Sequence, residues 1–377
     1  MKKSARSWRL ILLVAAVLAI AATALTAAGC GGSSSAAGGT PAPAISGFTP
    51  QPMSADTILG AGASFPAPLY MKWGSDYNGV SGVKLNYQSI GSGGGISAIE
   101  AKTVDFGASD APLEQADLEA NGLAQFPMVV GGVVLVVNLD GVADGQLKLT
   151  SDLVAGIYMG TITTWNDPTI AKVNPGVTLP ATTIYVVHRS DGSGTTWILT
   201  HYLTDAAGSI WTAGADKEIA WPVGVGGKGN EGVAASVQQL SGSIGYVEYA
   251  YAKQTGMTTA QLQNKDGQWV KPSIASFSAA ASNADWKASL PSMYMVLVNQ
   301  PGADSWPITG ASFILMQKDQ ADAARGKAAL EFFNWGYTSG ADAATALDYV
   351  PIPADVYKLA QDQVWPTITV SGTPVWP

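Results

Sequence analysis

Strand-like and helix-like segments alternate along most of this chain, and short turns rich in glycine and serine separate them. Residues 183–188 are rich in β-branched and aromatic side chains, whereas residues 196–203 carry apolar side chains at helical spacing. The other strand-like runs are 83–90, 104–108, 129–138, 244–251, 293–298 and 312–317. No unit of about 20 to 50 residues repeats, which argues against solenoids and propellers. The alternation predicts an α/β fold.

The first 29 residues have the composition of a secretory signal peptide. Four cations precede an apolar run from Leu10 to about Leu25, which is short for a membrane span. The segment ends in Ala-Ala-Gly-Cys at Cys30, which resembles the lipoprotein box, where the cysteine is lipidated and becomes the new N-terminus. We therefore expect export and attachment to the membrane through a lipid at Cys30. The alternative is ordinary cleavage near Ala28, which would leave a free thiol.

The residues after the predicted leader divide into a tether and a folded part. Residues 30–53 are dominated by Gly, Ser, Ala, Thr and Pro and carry no charge, a composition that buries too little apolar surface to fold. The remaining roughly 325 residues suffice for two domains of ordinary size. Cys30 is the only cysteine, so the folded part contains no disulfide and no thiolate metal site.

The charge balance of the chain is acidic. The leader carries four of the 20 Lys and Arg residues and none of the 28 Asp and Glu residues, so its removal leaves a formal charge of −12. Nucleic acid is an improbable partner, because its binding requires a basic face. Net charge does not attract a small anion to such a chain, so an anion site must rely on local dipoles and a few placed donors.

Residues 189–195, with the sequence Arg-Ser-Asp-Gly-Ser-Gly-Thr, lead into the helix-like run that follows. The first N–H groups of a helix lack intrahelical acceptors, and the helix dipole places partial positive charge there, so the backbone alone can bind an oxyanion. Arg189 adds a cation that can bind an oxyanion in a bidentate manner. The turn indicates an anion site; the alternative is that Arg189 and Asp191 form only a local ion pair.

Two further turns have the same chemistry. Residues 59–68 contain Ser64 and lead through two prolines into an apolar run, and residues 91–96 contain Ser92 among four glycines. Each turn offers a hydroxyl and free backbone N–H groups at a predicted helix N-terminus. Ligands of open α/β sheets collect at the carboxyl ends of the strands, so the three turns together predict one shared site.

Asp110 follows the strand-like run 104–108 and precedes Pro112. A carboxylate in this position is typical of a helix N-cap, and spacing alone favours a cap for a helix that begins near Leu113. The alternative is a role in ligand binding.

Four long stretches of this chain, residues 60–68, 104–113, 191–195 and 245–253, closely resemble the periplasmic phosphate-binding proteins, the substrate-binding components of high-affinity phosphate ABC importers. The resemblance spans about residues 57 to 350. It implies a two-lobed type II periplasmic-binding-protein fold that encloses phosphate between its lobes. Lobe I would comprise 54–130 and 305–377, and lobe II 131–304. The two hinge crossings would lie near residues 130–132 and 304–307, both in Gly- or Pro-containing segments beside strands.

The resemblance also implies the residues that contact the phosphate. They are Ser64, Phe65, Ser92, Asp110, Arg189, Ser193, Gly194 and Thr195. Phe65 would act through its backbone N–H, and Ser64 would keep the hydroxyl of the threonine that the family often has there. Asp191 would orient Arg189 by an ion pair and limit the positive charge that the phosphate meets.

Asp110 acquires a chemical reason in this interpretation. A carboxylate that faces an anion is repulsive unless a proton lies between them, and phosphate near neutrality carries a hydroxyl that can donate, whereas sulfate carries none. Bound sulfate would leave two acceptors face to face, at a cost of about a hundredfold or more in affinity. We therefore expect selection against sulfate and molybdate; arsenate shares the protonation of phosphate and remains an alternative ligand.

We therefore expect a monomeric, non-enzymatic receptor, on the outer face of the cell membrane or in the periplasm, that passes inorganic phosphate to the permease subunits of an ABC importer. No cofactor, metal or catalytic residue is expected: His188 and His201 lack a metal-site pattern, and residues 224–229 fit G-x-G-x-x-G without the context of a dinucleotide site. The alternatives are an exported phosphatase with Ser193 or Ser64 as nucleophile, or a receptor for another tetrahedral oxyanion. The tryptophans are expected in the core.

Overall fold

The parallel strands of this chain lead into helices, and the order of these units determines which helix N-termini can meet. The computed structural model describes residues 55–376; the predicted leader 1–29, Cys30 and the tether 30–53 lie outside the described residues. The strands are β1 (Thr57–Gly62), β2 (Lys84–Ser89), β3 (Phe106–Ser109), β4 (Leu123–Val137), β5 (Lys148–Leu149), β6 (Tyr185–Arg189), β7 (Val225–Gly227), β8 (Ser243–Glu248), β9 (Thr258–Thr259), β10 (Gln261–Gln263), β11 (Trp269–Val270), β12 (Thr309–Gln317), β13 (Val350–Pro351), β14 (Thr369–Val370) and β15 (Thr373–Pro374). The helices are α1 (Ala67–Ser81), α2 (Ser92–Glu100), α3 (Gln115–Ala120), α4 (Ser151–Tyr158), α5 (Pro168–Val173), α6 (Gly194–Ala207), α7 (Gly229–Gln239), α8 (Tyr249–Gln254), α9 (Ile274–Ala281), α10 (Ala323–Thr338), α11 (Ala341–Ala346), α12 (Ala354–Gln363) and a 3₁₀ turn at Trp365–Thr367. The predicted α/β class is confirmed.

The main sheet has the strand order β2-β1-β3-β12-β4-β8-β6-β7. Strands β1, β2 and β3 are parallel to one another, and so are β6, β7 and β8. Strand β4 pairs antiparallel with β12 over residues 123–132 and with β8 over residues 133–137. We call β1, β2, β3, β12 and residues 123–132 the first half-sheet, and residues 133–137, β6, β7 and β8 the second half-sheet.

The segments predicted as hinge crossings lie at the junction of the two half-sheets. Gly131 pairs with Gly310, and Gly132 pairs with Thr309, so the chain passes the junction on β4 and begins β12 there. A Cβ atom on Gly132 would lie 2.1 Å from the Phe277 ring, so glycine is required for this close approach. The division into lobes at residues 131 and 304 stays a prediction.

Two predicted strands differ from the structure. The run 244–251 is strand β8 followed by helix α8, because Glu248 ends the strand and its side chain accepts the Ala250 N–H at 2.8 Å as the N-cap. The run 293–298 forms no strand, and only Val298 forms a β-bridge. Met293, the first residue of this run, and Asn299, the residue after its end, are left-handed (φ 52° and 51°), so an extended backbone does not continue through either end of the run.

Tryptophan side chains fill the interior, as predicted. Trp73, Trp165 and Trp306 are buried, and their indole N–H groups donate to backbone carbonyl oxygens at 2.8–2.9 Å. Each of these three indoles thus packs its apolar surface without leaving its donor unpaired. Between residues 55 and 376, the structure contains no helix with the length and apolar character needed to cross a membrane.

Candidate anion-binding site

Four helix N-termini meet where the two half-sheets face each other. In the first half-sheet, β1 leads past Ser64 to α1, and β2 leads to α2, which begins at Ser92. In the second half-sheet, β6 leads to α6, capped by Ser193, and β7 leads to α7, whose second residue is Asn230. The Gly194 N–H donates to Ser92 Oγ at 3.0 Å, and the Asn230 N–H donates to Ser64 Oγ at 3.1 Å. The structure thereby brings the three predicted turns together, as a shared site requires.

Arg189 is the cation of this site, and its side chain is 1% exposed. Its guanidinium forms a bidentate ion pair with Asp191, with Nε 2.8 Å from Oδ1, and Nη1 donates to Thr195 Oγ1 at 3.3 Å. Asp191 Oδ1 also accepts the Gly229 N–H at 3.0 Å. Burial opposes ionisation of Asp191, but these contacts outweigh it and lower the pKa of the carboxyl below its ordinary value. The ion pair holds the guanidinium plane in place and partly neutralises its charge.

Ser92 and Ser193 are buried, and each hydroxyl oxygen accepts backbone N–H groups. Ser92 Oγ accepts from Asp110 N at 3.1 Å and from Gly194 N at 3.0 Å. Ser193 Oγ accepts from Thr196 N at 3.1 Å, as the N-cap of α6. Both lone pairs of Ser92 Oγ are thus engaged, and its hydroxyl donates to Asp110 Oδ2 at 3.4 Å, whereas Ser193 Oγ keeps one lone pair and its hydrogen for a ligand.

Asp110 is buried beside Ser92 and does not cap a helix. The helix that follows begins at Gln115, with Glu114 in the cap position, so the N-cap interpretation is wrong. Burial raises the pKa of Asp110 to about 7, although the Ser312 hydroxyl, Arg189 and Ser92 oppose the rise. Its Oδ1 makes no hydrogen bond to the residues that the structure describes. A carboxyl that exchanges a proton near neutrality therefore lies among N–H and O–H donors.

We expect the ligand-free protein to lose stability as the pH rises from about 4 to 7. Asp110 titrates near 3.8 when unfolded and near 7 when folded, so its contribution is fully present below pH 3.8 and is lost as the pH rises through 7. The loss is on the order of 4 kcal/mol, at about 1.4 kcal/mol per pKa unit.

Urea unfolding in phosphate-free buffer measures this loss of stability. Burial also raises the pKa of Glu248, so the wild type must be compared with Asp110→Asn. A difference between the two proteins that is constant with pH contradicts the prediction.

Phe65 places its ring and its backbone in different environments. The ring is fully buried, and a Cβ atom on Gly131 would lie 2.9 Å from it. The Phe65 carbonyl oxygen accepts the Tyr349 hydroxyl at 2.7 Å. The peptide that precedes α1 is thus held from both sides, which fixes the Phe65 N–H beside Ser64.

The histidines lie outside the cluster of serines. His188 stacks on Trp221 at a centroid distance of 5.0 Å, and His201 contacts the Trp197 carbonyl oxygen through Nδ1 at 2.8 Å. Within residues 55–376, neither histidine forms a hydrogen bond with Ser64 or Ser193, the serines considered as nucleophiles. The same residues contain no group of three His, Cys, Asp or Glu side chains that could hold a metal ion.

Comparison with known proteins assigns the chain to a family. The family model of the PBP superfamily domain matches residues 48–339. The chain is 52% identical over 326 residues to the phosphate-binding protein PstS of Pasteurella multocida, which covers 85% of this chain and 94% of that protein. It is also 52% identical over 315 residues to the PstS of Haemophilus influenzae, covering 83% and 93%. The chain belongs to the PstS family.

A solved structure agrees with the PstS assignment at the level of fold. A phosphate-binding protein from Stenotrophomonas maltophilia superimposes with a TM-score of 0.63, covering 82% of this chain and 94% of that one, at 21% identity. The mixed α/β architecture is accordingly the type II periplasmic-binding fold that the sequence predicts.

Two buried residues of this PstS chain were missed by the sequence interpretation. Asn230 Nδ2 donates to Ser64 Oγ at 2.9 Å and to Thr195 Oγ1 at 3.2 Å. Glu248 Oε2 lies 3.0 Å from the Tyr349 hydroxyl oxygen, and burial raises the pKa of Glu248 well above its ordinary value. A local indication is the Gly-rich turn 224–229 that precedes Asn230, but this turn was considered only as a dinucleotide motif.

Proposed function

We propose that this chain is an exported receptor that binds inorganic phosphate between its half-sheets and delivers it to the permease subunits of an ABC importer. The observation that carries the proposal is a buried set of donors, with Arg189 at its centre and one carboxyl, Asp110, among them. Four relatives that are at least 52% identical over most of this chain are named phosphate-binding protein PstS. The same donors suit arsenate, which a titration must compare directly.

Donors from both half-sheets bind the phosphate in this proposal. The proposed contacts are Ser64, Phe65, Ser92, Asp110, Arg189, Ser193, Gly194 and Thr195, with Asp191 orienting Arg189. Helix N-termini supply partial positive charge without a net cation, and the Arg189 guanidinium matches the geometry of phosphate oxygens. Because the anion touches both half-sheets, it binds the closed arrangement more tightly than an open one. Closure is then the form of the receptor that a permease can recognise.

Asp110 supplies selectivity in this proposal. At about pH 8 an ionised Asp110 accepts the hydroxyl of a phosphate that carries one proton, and sulfate offers no such donor. We expect sulfate to bind at least about a hundredfold more weakly than phosphate, and Asp110→Asn to narrow this ratio by about tenfold or more, because an amide can donate to sulfate. Isothermal titration with phosphate, sulfate and arsenate measures the ratios.

The matched control for Asp110→Asn is Asp76→Asn. Asp76 lies on α1 and pairs with Lys72 at the surface, so this change removes a carboxylate without touching the site. We expect it to leave all three affinities unchanged. An unaltered ratio of phosphate to sulfate affinity in Asp110→Asn would sink the proposed role of Asp110, and a wild type that binds none of the three anions would sink the receptor itself.

The cell envelope provides the setting for this receptor. The leader 1–29 directs export, a lipid on Cys30 anchors the chain to the membrane, and residues 30–53 link the lipid to the folded part. The receptor acts as a monomer without catalysis. Engaged hydroxyl oxygens support this role, because Ser64 and Ser193 accept N–H groups rather than lying against a histidine base.

A further inference from the structure

We propose that Asn230 is a positioning residue that fixes the hydroxyl groups of Ser64 and Thr195 as donors toward the bound anion. The inference rests on the proposed function and adds a residue that contacts the donors rather than the phosphate. Asn230 is fully buried at the start of α7, where the second half-sheet meets the turn before α1.

The orientation of the Asn230 amide is set by Glu248. The Glu248 backbone N–H donates to Asn230 Oδ1 at 2.9 Å. A backbone N–H only donates, so the amide oxygen must face it, and the amide nitrogen must face the other side. On that side lie Ser64 Oγ at 2.9 Å and Thr195 Oγ1 at 3.2 Å. The amide group therefore has one orientation, in which it donates to both hydroxyl oxygens.

The hydroxyl oxygens of Ser64 and Thr195 each accept two hydrogen bonds in this arrangement. Ser64 Oγ accepts from the backbone N–H and from Nδ2 of Asn230. Thr195 Oγ1 accepts from Asn230 Nδ2 and from Arg189 Nη1 at 3.3 Å. A hydroxyl oxygen has two lone pairs, so both oxygens are saturated as acceptors and only their hydrogens remain for a ligand.

A saturated hydroxyl is a better anion donor than a free one. A hydroxyl that rotates can present a lone pair to the anion, which is repulsive, and its ordering then costs binding free energy. Asn230 removes this alternative for one hydroxyl on each side of the site, since Ser64 precedes α1 and Thr195 lies on α6. Among the proposed phosphate contacts, Asp110 is then the carboxylate acceptor that remains, so the site favours an anion that carries one proton.

The substitution Asn230→Asp tests this role, because it is nearly isosteric and replaces the donor by a titratable oxygen. When the new carboxylate is ionised, it accepts from the Ser64 and Thr195 hydroxyls, turns their hydrogens away from the phosphate and adds negative charge. When it is protonated, it can donate again. We expect phosphate affinity at about pH 8.5 to fall at least a hundredfold relative to the wild type, and the deficit to shrink at least tenfold at about pH 5.5.

The comparison uses the ratio of the two dissociation constants at each pH, measured by isothermal titration with inorganic phosphate. Phosphate changes its protonation with pH in both proteins, and both proteins have the same neighbouring acidic and phenolic groups, namely Asp110, Asp191, Glu231, Glu248 and Tyr251. The ratio cancels the pH effects that are common to both proteins. What remains is the effect of the new carboxyl group and of its coupling to these neighbours. A ratio that does not change with pH means that Asn230 serves packing only, and overturns the proposal. If the wild type binds no phosphate, the proposed function is wrong, and the role of Asn230 is not what has failed.

A double-mutant cycle tests the role of Asn230 independently, and it remains available if Asn230→Asp does not fold. Asn230→Ala and Ser64→Ala are measured singly and together. If Asn230 acts through the Ser64 hydroxyl, the loss caused by Asn230→Ala should shrink at least fivefold once the hydroxyl is gone. Independent effects, in which the two losses multiply, would overturn the role assigned to Asn230.

Discussion

Replacing Arg189 by alanine is expected to weaken phosphate binding about a thousandfold, or ~4 kcal/mol. The guanidinium is the buried cation of the site, and its loss removes a charge-assisted donor to phosphate. It also leaves Asp191 without its bidentate partner, so an uncompensated carboxylate would lie close to the bound anion. Both effects act in the same direction. Arg189→Lys keeps the charge but loses the planar fork, so we expect an intermediate loss.

Isothermal titration at low ionic strength measures this effect, and Arg325→Ala is its control. Arg325 also forms an ion pair with an aspartate, with Nε 2.9 Å from Asp105 Oδ1, but its side chain is 41% exposed and lies outside the site. Removing it changes the net charge equally and should leave the phosphate affinity within about twofold of the wild type. If Arg189→Ala binds phosphate within tenfold of the wild type, Arg189 is not the principal donor.

Adding one methyl group at Gly194 is expected to reduce phosphate affinity by at least about a hundredfold. A Cβ atom there would lie 2.5 Å from Asp110 Cβ and 2.6 Å from Ser92 Oγ. Gly194 belongs to the second half-sheet unit β6–α6, whereas Asp110 and Ser92 belong to the first. The methyl group must therefore push the two sides of the site apart, and the hydrogen bond from Gly194 N to Ser92 Oγ would be broken.

Gly79→Ala in α1 is the matched control, because a Cβ atom at Gly79 meets no atom within 4 Å. This change should leave phosphate binding intact and raise the free energy of unfolding by about 0.5–1 kcal/mol, as alanine does in a helix. Titration calorimetry of both variants measures the effect on phosphate binding, and urea unfolding measures the effect on stability. Together they distinguish a defect in closing the site from a defect in folding. Phosphate affinity within threefold of the wild type in Gly194→Ala would show that the two sides of the site need not approach as closely as the structure has them.

The turn from Arg189 to Thr195 could be predicted because its chemistry is local. Arg189 and Asp191 are two residues apart, and the helix that supplies the N–H groups begins at once. Helix propensity, glycine and a hydroxyl cap are all visible in such a short stretch. Asp110 shows the limit of local reasoning, since its spacing favoured a cap, whereas its partners include a serine 18 residues away.

Asn230 could not be found from the sequence, because its role depends on partners far along the chain. It bonds residues that are 166, 35 and 18 positions away, namely Ser64, Thr195 and Glu248. Sequence periodicity does not reveal contacts between residues so far apart in the chain, because the strand order of the sheet brings them together. The run 293–298 was mistaken for a strand for a different reason, because its favourable β composition does not reveal the left-handed backbone at its two ends, at Met293 and Asn299.

The paired glycines on β4 and β12, Gly131 and Gly310, bring the junction of the two half-sheets into contact with the candidate anion site. A Cβ atom on Gly310 would lie 2.2 Å from Ile198 of α6, and a Cβ atom on Gly131 would lie 2.9 Å from the Phe65 ring. The helix and the turn that contribute proposed phosphate contacts therefore pack directly against the two strands that join the half-sheets. If the half-sheets close on an anion as proposed, twisting of these two strands would move Phe65 and α6 together, and the angle of closure would depend on backbone twist rather than on the length of a loop.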